Sequence, residues 1–190
     1  MFFEHLRCVL EALLFASGDP VPASRLAELL EISEDHVHSI IARMQEEMTD
    51  ESRGLTIMEV AGGYQLCTKP ALAPVVAKLA SIQDSRLSAA AMETLSIIAF
   101  KQPVTRQEIE SIRGVKADRL VHNLLERRLI KELGRKDTIG RPILYGTTTE
   151  FLICLGLKSL QDLPVLTGLV ESTAEESTAP SALSLQQQKK

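Results

Sequence analysis

The strongest constraint on this chain is that it states one plan twice, 83 residues apart. Pro20-Val21-Pro22 lines up with Pro103-Val104-Thr105, and at the same offset Leu26 meets Ile109, Leu29 meets Ile112, Val37 meets Leu120 and Ile41 meets Leu124. Apolar positions agree where surface residues do not, the mark of a duplicated core. A duplicated core requires two units of similar size, and 190 residues are enough for both. The boundary is expected near residues 84–87.

Each unit reads as three helices followed by a hairpin. In the first, Leu6, Val9, Leu10, Leu13 and Leu14 recur at helical spacing, and Ser17-Gly18-Asp19-Pro20 ends that helix. A second helix starts at Pro22 or Ala23 and is expected to turn Leu26, Leu29 and Leu30 inward. Ser33 is a good cap for a third, residues 34–48, buried through Val37, Ile40, Ile41 and Met44. Residues 55–60 and 64–68 read as strands joined at Ala61-Gly62-Gly63. Residues 70–80 form a further apolar helix, and 82–86 a short polar joint.

The second unit opens with an apolar helix over 88–100, stopped by Pro103. Thr105 caps a short helix, 106–113, that ends at Gly114. The next, 116–128, carries Leu120, Leu124 and Leu125 on one face. Strands at 129–133 and 143–145 flank the basic loop Gly134-Arg135-Lys136-Asp137-Thr138-Ile139-Gly140-Arg141-Pro142. The expected fold is therefore mainly α with small β-hairpins: winged helix-turn-helix domains in tandem, 1–85 and 86–164. From residue 165 the chain turns rich in Ser, Thr, Gln and Glu, which reads as a disordered tail over 165–190, although Val165, Leu166, Leu169 and Val170 offer a short apolar patch.

Three stretches carry a resemblance. LSAAAMETLSIIAFKQPVTRQEIESIRGV (87–115), LLERRLIKELGRKDTIGRPILYGTTTEFL (124–152) and GLKSLQDLP (156–164) closely resemble the ScpB family of bacterial segregation and condensation proteins. LEALLFASGDPVP and GGYQLCTKP are similar to it more thinly. The resemblance implies a homodimer that binds the kleisin ScpA and, through it, the SMC ATPase. It implies an architectural role in chromosome condensation and partition, in the cytoplasm.

Composition narrows the alternatives. No apolar run approaches the roughly 20 residues of a membrane span, and MFFEHLRC does not read as a signal peptide. Cys8, Cys67 and Cys154 are far apart among mostly apolar neighbours, which suits buried thiols in a reducing compartment. Net charge is −4 but uneven: residues 1–85 carry −7 and 86–160 carry +5. The third helix of the first unit holds Glu34, Asp35, Glu46 and Glu47 against Arg43, a surface that phosphates would repel. His36 and His38 lie on different sides of that helix. His5 with Cys8 and His122 with Glu126 supply two ligands each, short of a structural zinc site. No phosphate loop or nucleophile elbow occurs, so no catalytic residue, cofactor or metal is expected.

Three candidate surfaces remain. Arg135, Lys136, Arg141, Pro142 and Tyr145 mark the second hairpin loop as a partner surface, since Arg and Tyr are enriched at binding hot spots. Arg141, preceding a proline, is biased to extended backbone, which either projects its side chain or lets it pin the loop through Asp137. Leu6, Leu10, Leu13 and Leu14, with Phe2 and Phe3, form more apolar surface than a small domain needs, and suggest a dimer interface. Lys116, Arg119, Arg127 and Arg128 allow weak contact with a DNA backbone. The rival reading, a winged-helix regulator that reads DNA through residues 116–128, rests on these four, on Lys131, and on Arg135, Lys136 and Arg141 of the loop.

Overall fold

A computed structural model describes residues 2–79 and 87–164, with the side chains of residues 2–4 excepted. The expected joint, the tail from 165, and the Phe2 and Phe3 side chains lie outside the described residues.

The first unit runs α1 (Phe2–Ser17), α2 (Ala23–Leu30), α3 (Glu34–Glu47), β1 (Leu55–Val60), β2 (Gly63–Thr68), a 3-10 turn at Pro70–Leu72, and α4 (Ala73–Leu79). The α1 leucines repeat every fourth residue and so share one side. That side meets Leu26 of α2 and Val37, Ile40, Ile41 and Met44 of α3 in one core. Burial stabilises each such side chain by roughly 1.5–3 kcal/mol. Ser33 caps α3, its Oγ accepting the His36 N–H at 3.4 Å. Strands β1 and β2 pair from Leu55↔Thr68 to Val60↔Gly63. Ala61 and Gly62 close the hairpin with φ +51° and +75°, the double left-handed turn that matches strand twist.

The second unit repeats the order as α5 (Ala89–Lys101), β3 (Val104–Thr105), α6 (Arg106–Arg113), α7 (Asp118–Glu126), β4 (Ile130–Arg135), β5 (Ile143–Thr147) and α8 (Thr149–Leu155), then a 3-10 turn at Leu160–Asp162. Ser88, Thr105 and Thr148 cap α5, α6 and α8. Its core gathers Leu95, Ile98, Ile109, Val121, Leu124 and Phe151. The strands form one antiparallel sheet in the order β3-β5-β4.

Strand β3 was not expected. It pairs Val104 with Tyr145, and its counterpart in the first unit is an isolated bridge, Val21 to Tyr64, with both backbone bonds at 2.9 Å. The repeat thus extends to a Val–Tyr pairing. Helix α7 is shorter than expected, and its buried residues are Val121 and Leu124, with Leu120 and Leu125 half-buried. Leu29 and Ile112, expected inward, are both exposed, at 49% and 54%. They agree with each other, but on the outer face.

The units touch at the first hairpin turn. The Ala61 N–H donates to the Leu157 carbonyl at 2.9 Å, and Lys158 Nζ meets Glu59 Oε2 at 2.7 Å. No helix among the described residues is long and apolar enough to cross a membrane.

Candidate partner-binding site

The second hairpin is positioned from below by one amide and one glycine. Gln102 Oε1 accepts the Thr147 N–H at 2.8 Å, while its Nε2 donates to the Ala99 carbonyl and to Thr147 Oγ1, each at 3.1 Å. This stitches the end of α5 to β5. Gly146 makes the approach possible: a Cβ there would stand 2.6 Å from Leu133 Cδ1 and 2.8 Å from Gln102 Oε1. The Gly146-Thr147 step in the sequence therefore has a packing cause.

The loop is tied in turn to α6. Glu108 completes a capping box, its Oε2 accepting the Thr105 N–H and hydroxyl at 2.8 Å each. Its Oε1 meets Lys136 Nζ at 2.6 Å. The Lys136 hydrogen bond, ahead of the Thr105 donors, holds the Glu108 carboxyl at about 2. Within the loop, the Lys136 N–H donates to the Pro142 carbonyl at 2.9 Å and the Arg141 N–H to the Thr138 carbonyl at 2.8 Å. Arg135 Nη1 donates to the Arg141 carbonyl at 3.1 Å.

These bonds revise the sequence reading residue by residue. Lys136 faces its own Glu108, a structural tie more than a surface offered outward. Arg141 has φ +40°; the turn bonds from Lys136 to Pro142 override the usual bias of a residue before proline. The loop is pinned by Arg135 on the Arg141 carbonyl, not by an Arg141–Asp137 pair. Tyr145 is only 8% exposed, because its strand partner Val104 and the core take the ring. Burial pushes its hydroxyl pKa up.

Arg135, Pro142 and Tyr145 nonetheless meet at one place. They line a cavity of about 320 Å³ together with Arg106, Gln107, Ile139, Gly140 and Ile143. Arg106 also pairs with Asp118. The sequence reading missed Arg106, Gln107 and Ile139. The Thr105…Glu108 capping box was the available signal, since it puts Arg106 and Gln107 on the first exposed turn of α6.

The other candidates separate. Lys116, Arg119, Arg127 and Arg128 are all exposed, and Arg128 leaves α7 with φ +57°. Asp118, His122 and Glu126 are exposed among them, with His122 Nε2 and Glu126 Oε1 3.3 Å apart. Leu6, Leu10 and Leu14 are 7%, 0% and 1% exposed and Leu13 is partly buried. The first core uses these leucines, so the expected apolar surplus does not come from them. It lies instead on Phe15, 78% exposed, and on α4, whose Val75, Val76 and Leu79 are exposed. Cys8 and Cys154 are exposed, contrary to expectation. Cys8 lies two residues from Leu6 and Leu10, away from their buried stripe. Cys67 is half-buried, and burial raises its thiol pKa. Among the described residues, no three His, Cys, Asp or Glu side chains gather as metal ligands.

Two helix-and-hairpin units, one carrying an arginine-lined surface cleft, define a small, mostly helical protein with an internal repeat. Comparison with known proteins is more specific. The family model "Segregation and condensation complex subunit ScpB" matches residues 8–166, and the chain belongs to that family. A relative from Moorella thermoacetica, Segregation and condensation protein B, is 48% identical over 171 residues, covering 90% of this chain and 88% of its own. The protein of that name from Halalkalibacterium halodurans is 49% identical over 168 residues, with coverage of 87% and 85%. Among solved structures, ScpB from Mycobacterium tuberculosis is 35% identical, with TM-score 0.40, covering 82% of this chain and 97% of that one. A dimer of the ScpB N-terminal domain complexed with ScpA peptide is also 35% identical, with TM-score 0.40, covering 42% of this chain and 99% of that one.

Proposed function

We propose that this chain is a non-enzymatic, cytoplasmic subunit of an SMC–ScpA–ScpB complex, binding the kleisin ScpA as a homodimer and taking part in chromosome condensation and partition during cell division. In this reading residues 1–85 and 86–164 are tandem winged-helix domains, the first for dimerisation. The observation that carries the proposal is the family match itself. It runs from residue 8 to 166 through both units, with relatives nearly half identical.

The surfaces agree with it. Helix α3, which would enter a DNA groove in a winged-helix regulator, begins with Glu34 and Asp35 and ends with Glu46 and Glu47. Phosphates would be repelled there. The apolar surplus for dimerisation lies on the first unit, at Phe15 and α4. The partner surface is assigned to the second hairpin loop, around Arg135, Pro142 and Tyr145. Lys116, Arg119, Arg127 and Arg128 add weak, sequence-independent DNA contact, lost as salt rises. Co-purification with the host's ScpA and SMC, in the presence of nuclease, tests the reading. A complex that survives nuclease supports it. A chain that leaves ScpA unbound but shifts duplex DNA at physiological salt would replace it with a transcriptional regulator.

A further inference from the structure

The cleft at the base of the second hairpin loop has a chemistry that narrows its occupant. Part of its lining is apolar: Pro142, Ile143, the buried Tyr145 ring, and the fully exposed Ile139. The rest is polar, with Arg106, Gln107 and Arg135. The cations nearby differ in state. Arg106 is neutralised by Asp118 and Lys136 by Glu108. Arg135 meets no carboxylate within ion-pair distance among the described residues; its Nη1 bonds to a backbone carbonyl, and a guanidinium has four further N–H donors. Arg135 and Tyr145 both line the cleft; burial and then Glu132 push the Tyr145 hydroxyl pKa up, and Arg106 and then Arg135 draw it down.

We infer that this cleft is a docking site for an acidic side chain with an apolar neighbour, both on one extended segment of the partner protein; the assignment rests on the reading of the chain as a kleisin-binding subunit. The carboxylate takes Arg135, whose planar fork fits two carboxylate oxygens, and the Tyr145 hydroxyl. The apolar neighbour covers Ile139 and Pro142. A phosphate backbone fits less well. Only Arg135 of the lining brings uncompensated positive charge, and counterion release needs several such cations. Half of the lining would be left apolar against a polyanion.

The test uses the full chain and fluorescently labelled host ScpA, titrated by anisotropy. Arg135→Gln removes the charge, and Tyr145→Phe removes the hydroxyl while keeping the ring that the core needs. Each is expected to weaken ScpA binding about 5- to 50-fold, as loss of one partner of a charged contact does; Tyr145→Phe should leave the melting temperature unchanged, while Arg135→Gln, which also loses the bond to the Arg141 carbonyl, should lower it slightly. ScpA variants with single Asp→Asn or Glu→Gln changes then locate the carboxylate. One of them is expected to lose the same factor against the wild-type chain and nothing further against Arg135→Gln. Unchanged binding by both chain variants, with wild type still binding ScpA, would overturn the docking site and leave the kleisin reading standing. No ScpA binding by wild type would overturn both. Displacement of ScpA by duplex DNA in wild type but not in Arg135→Gln would assign the cleft to phosphate. A halved mass for Arg135→Gln in light scattering would assign it to a second copy of the chain. Either result overturns the inference.

Discussion

In the first unit the hairpin turns in two residues, Ala61 and Gly62; in the second it opens into a loop that closes through Lys136, Thr138, Arg141 and Pro142. The first turn is in contact with the other unit, at Leu157 and Lys158. The second loop borders a cleft with an arginine of uncompensated charge. Beneath these differences the frames match: Leu26 and Ile109 are both fully buried, Leu29 and Ile112 both exposed, and each unit joins a valine to a tyrosine across strands. Duplication preserved what the cores need. Divergence fell on the hairpin end and on charge, the parts a core does not constrain. A frame kept while its exposed ends specialise is how one scaffold comes to serve different partners.

The largest expected effect tests whether the two cores are separate. Leu26→Ala and Ile109→Ala remove aligned, fully buried side chains, and each should cost about 2–5 kcal/mol. Scanning calorimetry is expected to show two transitions, each variant lowering only one. A single transition moved by both would mean that the units unfold together.

The glycines beside the paired tyrosines sharpen the comparison. A Cβ on Gly63 would stand 2.8 Å from the backbone carbon of Val21, whereas one on Gly146 meets the side chains of Leu133 and Gln102. Backbone yields less than a leucine methyl. Gly63→Ala should therefore cost about 2–4 kcal/mol and Gly146→Ala about 1–2. Equal costs in urea denaturation would contradict that ranking.

The α6 cap belongs to the second unit alone. Position 108 aligns with Arg25, and α2 has no side-chain cap. Glu108 is held at about 2, below the ordinary carboxylate value of 4.5, first by Lys136 and then by Thr105. A pKa lowered by folding contributes stability that is complete above the unfolded value and is lost as pH falls from about 4.5 towards 2. With the side chain 43% exposed, solvent screening limits the gain to about 1 kcal/mol or less. Glu108→Gln should flatten the acid limb of the second transition and leave the first unchanged, as read from melting at pH 6 and pH 3.

Smallest of all is the bridge between the units. Lys158→Ala removes an exposed pair with Glu59 and is expected to leave the melting temperature essentially unchanged. A marked loss would show that this contact, more than the core, holds the units together.

Helix starts and cores were legible because caps and apolar spacing are local. Ser33 and Thr105 cap where their sequence positions imply, and α3 buries the four residues its period selects. What escaped depends on distant neighbours. Strand β3 is two residues long and exists only because β5 lies beside it. The cleft combines α6 with the hairpin: the capping box marks Arg106 and Gln107 as the exposed first turn of α6, but nothing local places that turn beside the loop. Tyr145 was read as surface because its residue type is common at binding hot spots, and the α1 leucines because periodicity identifies an apolar stripe without saying which core absorbs it. Arg141 escaped for the opposite reason: a local rule was outweighed by the loop's own hydrogen bonds.

The most direct measurement is the mass by light scattering of the nuclease-treated chain, alone and with the host's ScpA. Alone, a dimer of about twice 20.9 kDa is expected; with ScpA, a heavier species that persists at physiological salt. A monomer that ignores ScpA, and gains mass only when duplex DNA is added, would contradict the proposed role.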